Sequence, residues 1–433
     1  MNIVITVCVL LLLAYLFDIT SSKTKIPTVI VLLTMGWGVK QLVNNLGIEI
    51  PDLSNILPVL GTIGLILIVL EGSMELEINR KKLGFIGKAA LIALLPILLI
   101  TFGVGYLLLA FEDISLKNAL SNAVPFAIIS SAIAIPSAKN LIASQKEFIT
   151  YESSFSDIIG VIIFNFLVYN EVINAAAFGH FFTDILILLV LTIIATIGLT
   201  MLLSFVQHRV KFIPIIIIVV LLYAVTKVFH IPGLLLIMIF GLFLANLKAL
   251  SQLKVAKYFN ADALIKEKHR FEELTGEIAF LVRTMFFLLF GFLIDTSALV
   301  DVQSLIWSGL IFAFILITRY VILKIFKEKT DPLLYIAPRG LITILLFLSL
   351  PQENQSIFLN NTVVLQVILL GAFFMMYGLM THKKAKEALI EDQTLDDTMP
   401  IEQEVHTSLE GDEKENSSSN DEEELSTDPS EKL

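Results

Sequence analysis

The sequence holds a single cysteine, Cys8, so no intrachain disulfide can form. It has no GxxxxGKS/T phosphate loop, no GxGxxG turn, no HExxH and no GxSxG. All six histidines (180, 208, 230, 269, 382 and 406) fall in loops, at the edges of apolar segments or near the carboxy terminus. These absences leave hydrolysis without a nucleophile or metal, and nucleotide chemistry without a cradle. The chain therefore reads as no enzyme, with no cofactor and no nucleic-acid partner expected. Charge is scarce as well: 16% of the 433 residues are Asp, Glu, Lys or Arg, against 56% hydrophobic. Together with a mean hydropathy of +0.84, this excludes an ordinary soluble protein and implies a polytopic membrane protein.

Apolar runs able to cross a hydrocarbon core of ~30 Å need about 17–25 residues. Thirteen can be marked, at about 2–17, 26–45, 56–75, 84–110, 118–143, 149–170, 181–207, 211–229, 231–248, 272–294, 303–326, 331–350 and 362–381. The first, MNIVITVCVLLLLAYLF, has no basic leader and no convincing small-residue cleavage site, so it is read as a membrane helix. The expected fold is an all-α polytopic membrane protein of thirteen transmembrane helices. The membrane part spans residues 1–382, and residues 383–433 form an acidic cytoplasmic tail. From Glu387 to Leu433 there are 17 acids and two lysines, a net −15, with few large apolar side chains. Such a stretch cannot bury enough surface to offset ordering entropy and is expected to be disordered.

With the tail inside, the inner loops hold 22 lysines and arginines. These include Arg80, Lys81 and Lys82, Lys139 and Lys146, and six basic residues from Lys248 to Arg270. The outer loops hold only Lys40, Lys117 and Lys227. This asymmetry follows the positive-inside rule and places the N-terminus outside a cell (inner) membrane. Arg283, Arg319 and Arg339 remain within apolar segments, as do Asp157 and Glu152. Intramembrane charges face a bundle interior, pair with one another and mark ion pathways. Arg283 best fits a side chain that reaches the interface from near a helix end. Arg319 lies deep in its segment and calls for a buried partner.

Two segments carry signs of a broken helix. In NAVPFAIISSAIAIPSAKN, Pro125 and Pro136 flank Ser130-Ser131; in DPLLYIAPRGLITILL, Pro338-Arg339-Gly340 interrupts the run. Proline removes a backbone donor and clashes with the preceding turn. Irregular backbone survives in a bilayer only when buried in protein or lining a wet cavity. The two segments are seven crossings apart and traverse the membrane in opposite directions. Each is fourth in a five-helix unit, segments 2–6 and 9–13. Inverted repeats with matched discontinuous helices signify a secondary transporter with a midplane site.

Asp157 lies about 13 Å into segment 6, near the midplane. Glu152 is shallower and turned ~140° away, so the two carboxylates do not form a catalytic pair. Asp157 shares a turn with Ser153, Ser154 and Ser156. Carboxylate, hydroxyl and backbone carbonyls suit a hard cation such as Na⁺, with Ser130 and Ser131 of the broken segment as further donors. A carboxylate held away from water needs either a proton or a cation as company. Competition between them for one carboxylate, carried across by a rocking bundle, gives exchange without fuel.

VLEGSMELEINRKKLG (69–84), SSAIAIPSA (130–138), ESSFSD (152–157), EIAFLVRTMFFLLFGFLID (277–295), ITRYVIL (317–323) and APRGLI (337–342) stand in the order and spacing of a known family. The sequence resembles the cation–proton antiporter superfamily, and its bacterial sodium/proton exchanger branch above all, over about residues 2–381. The resemblance implies monovalent cation/proton antiport, Na⁺ or Li⁺ against H⁺, with a K⁺/H⁺ antiporter or a channel or carrier of the same fold as the alternative. It puts the transported-ion carboxylate on Asp157, a helix-stabilising glutamate on Glu152 with its partner on Arg319, and the second broken helix's arginine on Arg339. It further implies a homodimer in the lipid bilayer, with a dimerisation domain and a mobile core. Two positions depart from the branch. Ser156 stands where the electroneutral branch has Asn and the electrogenic branch a second Asp, and Ser130-Ser131 stand in place of the exchanger branch's Thr-Asp-Pro. One titratable carboxylate at the site implies one-for-one, electroneutral exchange.

Overall fold

The computed structural model describes residues 27–46, 56–74, 82–139, 141–170, 212–228, 233–247, 261–294 and 300–381, Leu76, and a few positions within 8–16 and 179–198. Apart from those few positions, the segments expected at 2–17 and 181–207 lie outside the described residues, as does the tail from 383. Among the described residues all regular structure is helical. In chain order the helices are α1 (Thr28–Asn45), α2 (Ile56–Met74), α3 (Leu83–Phe111), α4 (Leu116–Ala127), α5 (Ser131–Ser137) and α6 (Ala143–Tyr169). Then follow α7 (Phe212–Val228), α8 (Gly233–Ala245), α9 (Ala261–Leu293), α10 (Val302–Ile325), α11 (Thr330–Leu333), α12 (Leu341–Leu348) and α13 (Asn361–Thr381). Seven spans among the described residues are long and apolar enough to cross a membrane, with α4 and α5 counted as one. The protein is a multi-pass membrane protein.

Burial is inverted relative to a soluble protein. Leu91, Leu99, Phe102 and Tyr106 of α3, and Leu305, Leu310, Ile317 and Val321 of α10, are exposed on the outer faces. Glu152, Asp157, Arg319 and Arg339 are buried. In hydrocarbon the apolar side faces lipid and the expensive polar groups face each other. The interrupted span Leu116–Ser137 is 83% buried, against 39% for Val302–Ile325, so its irregular backbone is surrounded by protein.

The helices pack in two groups. In one, α9 lies along α1 and α2, α2 along α8, and α7 against α8. In the other, α3 lies along α4, α6 and α10, α10 along α13, and α5 against α6. Contacts between the groups are fewer and fall chiefly where α2 meets α12 and α6, and where α8 meets α6. Polar ends follow the grouping: Lys82 pairs with Glu147, and Lys88 with Glu328, at one end of the second group. At its other end Glu112 accepts from the Ser356 hydroxyl and from the Ile357 N–H, while Asn122 Nδ2 donates to the Asn354 carbonyl. Asp301 caps α10 by accepting from Ser304 N at 2.8 Å. The Ser304 hydroxyl and then its amide hold that carboxyl below the usual carboxylate range.

The helix α9 differs from its expected extent, starting 11 residues before the apolar run at 272. Its 33 residues make it about 50 Å long, well beyond a hydrocarbon core. The early turns carry Lys266, Lys268 and Arg270, so they project past the apolar layer while remaining helical. Hydropathy locates the bilayer, not the helix end.

The approach of α1 to α9 rests on two glycines. A Cβ at Gly36 would strike the Leu288 carbonyl oxygen, and one at Gly291 the Leu33 carbonyl oxygen. Small residues let helix backbones touch where lipid offers no hydrophobic drive to associate. Replacing Gly36 or Gly291 by Ala should cost about 1–3 kcal/mol by overpacking. The readout is a lower thermal-unfolding midpoint of detergent-purified protein. Gly38→Ala, where the added carbon meets nothing within 4 Å, should leave the midpoint unchanged.

Candidate functional site

Pro125 and Pro136 sit at either side of the break in the first discontinuous segment, where residues 128–130 leave the helix and α5 restarts at Ser131. In the second, residues 334–340 separate α11 from α12. The two breaks cross. Ser130 N donates to the Pro338 carbonyl at 2.8 Å, backbone to backbone. Gly340 permits that approach, since a Cβ there would lie 2.8 Å from Ser130 Oγ and 2.6 Å from Ile133 Cδ1.

A crossing of this kind strands backbone groups away from water, and charged side chains take them up. Arg339 donates from Nε to the Phe126 carbonyl (2.8 Å), from Nη2 to Ala127 (3.3 Å) and from Nη1 to Ala337 (2.6 Å). Arg319 donates from Nε and Nη2 to the Leu333 carbonyl (2.8 and 2.6 Å) and from Nη2 to Ile336 (3.2 Å). Each arginine thus serves the carbonyl end of a half-helix, where the dipole favours a cation. Arg319 also grips Glu152 through two bonds, Nη1 to Oε1 at 2.7 Å and Nη2 to Oε2 at 3.1 Å. Glu152 and Arg319 are 1% and 3% exposed, so α6 is fastened to α10 by a fully desolvated, bidentate pair.

Asp157 faces the other way along α6. Its Oδ2 accepts from Ser131 N at 3.1 Å, while Oδ1 is buried with no hydrogen-bond partner among the described residues. One residue back, Ser156 Oγ accepts from Ile129 N at 2.9 Å, so α6 supports the stranded N–H groups of the break. The Ser153 hydroxyl donates to the Ile149 carbonyl of its own helix at 2.7 Å. Ser130 Oγ and Ser154 Oγ are buried without hydrogen-bond partners among the described residues. The Ser154 and Ser131 hydroxyl oxygens both face Gly72 of α2, at 3.8 and 4.0 Å from where its Cβ would stand. Four expected residues, Ser130, Ser131, Ser156 and Asp157, therefore meet where α5 begins. Glu152 and Arg319 meet apart from them, and Arg339 braces the crossing between.

A cavity of about 690 Å³ opens at the end where Lys82, Lys139, Lys146 and Lys268 gather, and its wall includes Ser131 and Gly72. Asp157 also borders a small void of about 10 Å³, room for roughly one water, closed by Val69, Ile162, Leu234 and Leu235. Ser131, whose N–H holds Asp157, thus borders the large cavity, while Val69 of α2 and Leu234 and Leu235 of α8 pack beside the carboxylate itself. Among the described residues no three His, Cys, Asp or Glu side chains gather as a metal site. An ion here meets one carboxylate and neutral oxygens, chemistry that suits a weakly held monovalent cation.

Ser154, grouped from sequence with the hydroxyls beside Asp157, is the serine of the ESSFSD turn with an open buried oxygen. Two residues were not assigned a role from sequence. Thr343 Oγ1 of α12 is buried without a partner among the described residues. Glu71 of α2 lines the cavity. A carboxylate within the apolar run ILPVLGTIGLILIVLEGSM was its visible signal. Removing one member of the buried pair should be severe, since Glu152→Ala leaves Arg319 uncompensated at a cost of about 3–5 kcal/mol. Arg319→Met in the same chain should restore part of this, but not all, because the Leu333 and Ile336 carbonyls lose their donor. Thermal midpoints around that double-mutant cycle check it; strictly additive losses would contradict coupling.

The model of the family described as sodium/hydrogen exchanger, transmembrane, matches residues 8–382. No curated protein sequence matches the chain. Among solved structures, that of the sodium proton antiporter MjNhaP1 from Methanocaldococcus jannaschii at pH 8 is similar at a TM-score of 0.62 and 20% identity, covering 90% of this chain and 98% of that one. An electron-microscopy map of the same antiporter gives 0.60 and 18%, covering 92% and 99%. At such identities the likeness speaks for the fold. The match over residues 8–382 settles the family: the chain belongs to the sodium/hydrogen exchanger, transmembrane, family, a class of transporters.

Proposed function

We propose that the protein is a secondary-active sodium/proton antiporter exchanging one Na⁺ for one H⁺ by alternating access, with both ions competing for Asp157. The observation that carries this reading is the open Oδ1 of Asp157 at the crossing of two broken helices. The cation is held by Asp157 and by neutral oxygens drawn from Ser130, Ser131, Ser154 and Ser156, while Ser153, expected from sequence as a further donor, spends its hydroxyl on the Ile149 carbonyl. Ser156 is a neutral hydroxyl that accepts from the Ile129 N–H, and it stands beside Asp157 where a second carboxylate would add a titratable group. Glu152, the other buried acid of α6, is neutralised by Arg319 and takes no part in ion exchange. One exchangeable carboxylate carries one charge either way, which makes the cycle electroneutral.

The moving parts follow the packing. The group containing α3–α6 and α10–α13 is the mobile core, and α1, α2 and α7–α9 form the scaffold and the dimerisation surface of a homodimer. We read segments 2–6 and 9–13 as inverted repeats within thirteen crossings. The contact pattern supports this: α3 with α6 is matched by α10 with α13, and α1 with α9 by α8 with α2. The N-terminus lies outside and the 383–433 tail inside a cell membrane. The lysines at the mouth of the cavity support an inward-open arrangement.

In vesicles of purified protein, Na⁺ added outside should drive proton movement, and Asp157→Asn should reduce it to the protein-free level. Full activity in that variant would overturn the assignment. Clamping the membrane potential should alter neither rate nor final gradient; a response to it would overturn the one-for-one ratio. Substituting K⁺ or Li⁺ for Na⁺ in the same assay decides the cation.

A further inference from the structure

The cavity wall carries a charge that the exchange reading does not use. Arg283 projects from α9 into the space that leads to Ser131, and its Nη1 donates to the Ala132 carbonyl at 3.4 Å. The reason that carbonyl is available lies in the sequence. In a regular helix it would accept from the N–H four residues on, but that residue is Pro136, which has none. Proline in α5 thus leaves an acceptor one residue from the N–H that holds Asp157, and an arginine of the opposite helix group takes it.

Two consequences combine. The contact joins α9 of the scaffold group to α5 of the core group, across the boundary that must shift in alternating access. It also fixes a guanidinium on the wall of the cavity that reaches Ser131, the residue whose N–H holds Asp157. The wall holds five basic and three acidic side chains, Arg283 and Glu71 among them, so a cation enters against a net positive field. Two of the lysines are matched, Lys82 by Glu147 and Lys268 by Glu272, while Arg283 is tied to Ala132, the neighbour of Ser131.

We propose that Arg283 is an affinity-setting positioning residue, an electrostatic gate that ties α9 to the proline-freed carbonyl of α5 and keeps cation binding from the lysine-rich side weak. It acts on the ion through space and on α5 through Ala132, without being a ligand. The proposal rests on the exchange reading, and two experiments separate their failures.

The first measures Na⁺-driven proton movement with the cation supplied at the lysine-rich side. Arg283→Gln removes the charge while keeping a polar amide, on a side chain two bonds shorter. It should lower the apparent KM for Na⁺ roughly three- to tenfold with kcat changed less than about twofold. Arg283→Lys, which keeps the charge, should stay within about twofold of the parent in KM. An unchanged KM in Arg283→Gln, or a parallel loss of kcat and stability in both variants, overturns the gate.

The second needs no transport. In a Cys8→Ser background, Ile135→Cys places a thiol on the same wall. The ratio of its labelling rates with a cationic and an anionic methanethiosulfonate should shift toward the cationic reagent roughly threefold or more when Arg283 becomes Gln. A ratio that does not move overturns the proposal. A ratio that shifts in a protein with no Na⁺-driven proton movement upholds the charge effect and overturns the exchange reading instead.

Discussion

The architecture depends on one constraint: two helices are broken at the same depth, and every backbone group stranded there needs a partner without help from water. Where the breaks cross, Ser130 N and the Pro338 carbonyl satisfy each other directly. The Ile129 and Ser131 N–H groups are taken by Ser156 and Asp157. The carbonyls at the half-helix ends are taken by two arginines. Donors and acceptors are sorted by charge, with an anion on the N–H side and cations on the C=O side, as the half-helix dipoles require.

This sorting explains why the four buried charges Glu152, Asp157, Arg319 and Arg339 coexist at tolerable cost. Arg339 and Arg319 are each stabilised by three or more hydrogen bonds to backbone, and Glu152 balances Arg319. What remains is a carboxylate that supports the fold with one oxygen and leaves the other uncommitted. A site assembled from satisfied groups alone would be stable and inert, whereas one unsatisfied acceptor leaves room for the proton or small cation that the proposed exchange requires.

Arg283 adds a different kind of control. It is not needed to close a half-helix, since α5 loses only one internal bond to Pro136, yet it reaches across to the acceptor that loss creates. The same proline that shapes the ion site therefore supplies the handle by which the opposite helix group touches it. On the proposal above, structure and affinity are coupled at that carbonyl by covalent chemistry: a tertiary amide nitrogen without hydrogen.

Much of this was legible in the chain. Apolar runs with charge asymmetry give a membrane protein, Pro-Ser-Ser-Pro and Pro-Arg-Gly give the breaks, and six motifs in register point to the family that residues 8–382 match. Those features are local, written in hydropathy and backbone chemistry. Three things were decided only in three dimensions. The choice among Ser153, Ser154 and Ser156 turns on which hydroxyl finds a nearby carbonyl or N–H. Arg283, placed at an interface from sequence, turns inward because Ala132 of a helix 151 residues away offers an acceptor. The touching of α1 and α9 at Gly36 and Gly291 depends on two faces that no spacing pairs in advance. Hydrogen bonds and close contacts between distant segments belong to pairs of residues, and a linear sequence specifies each member without naming its partner.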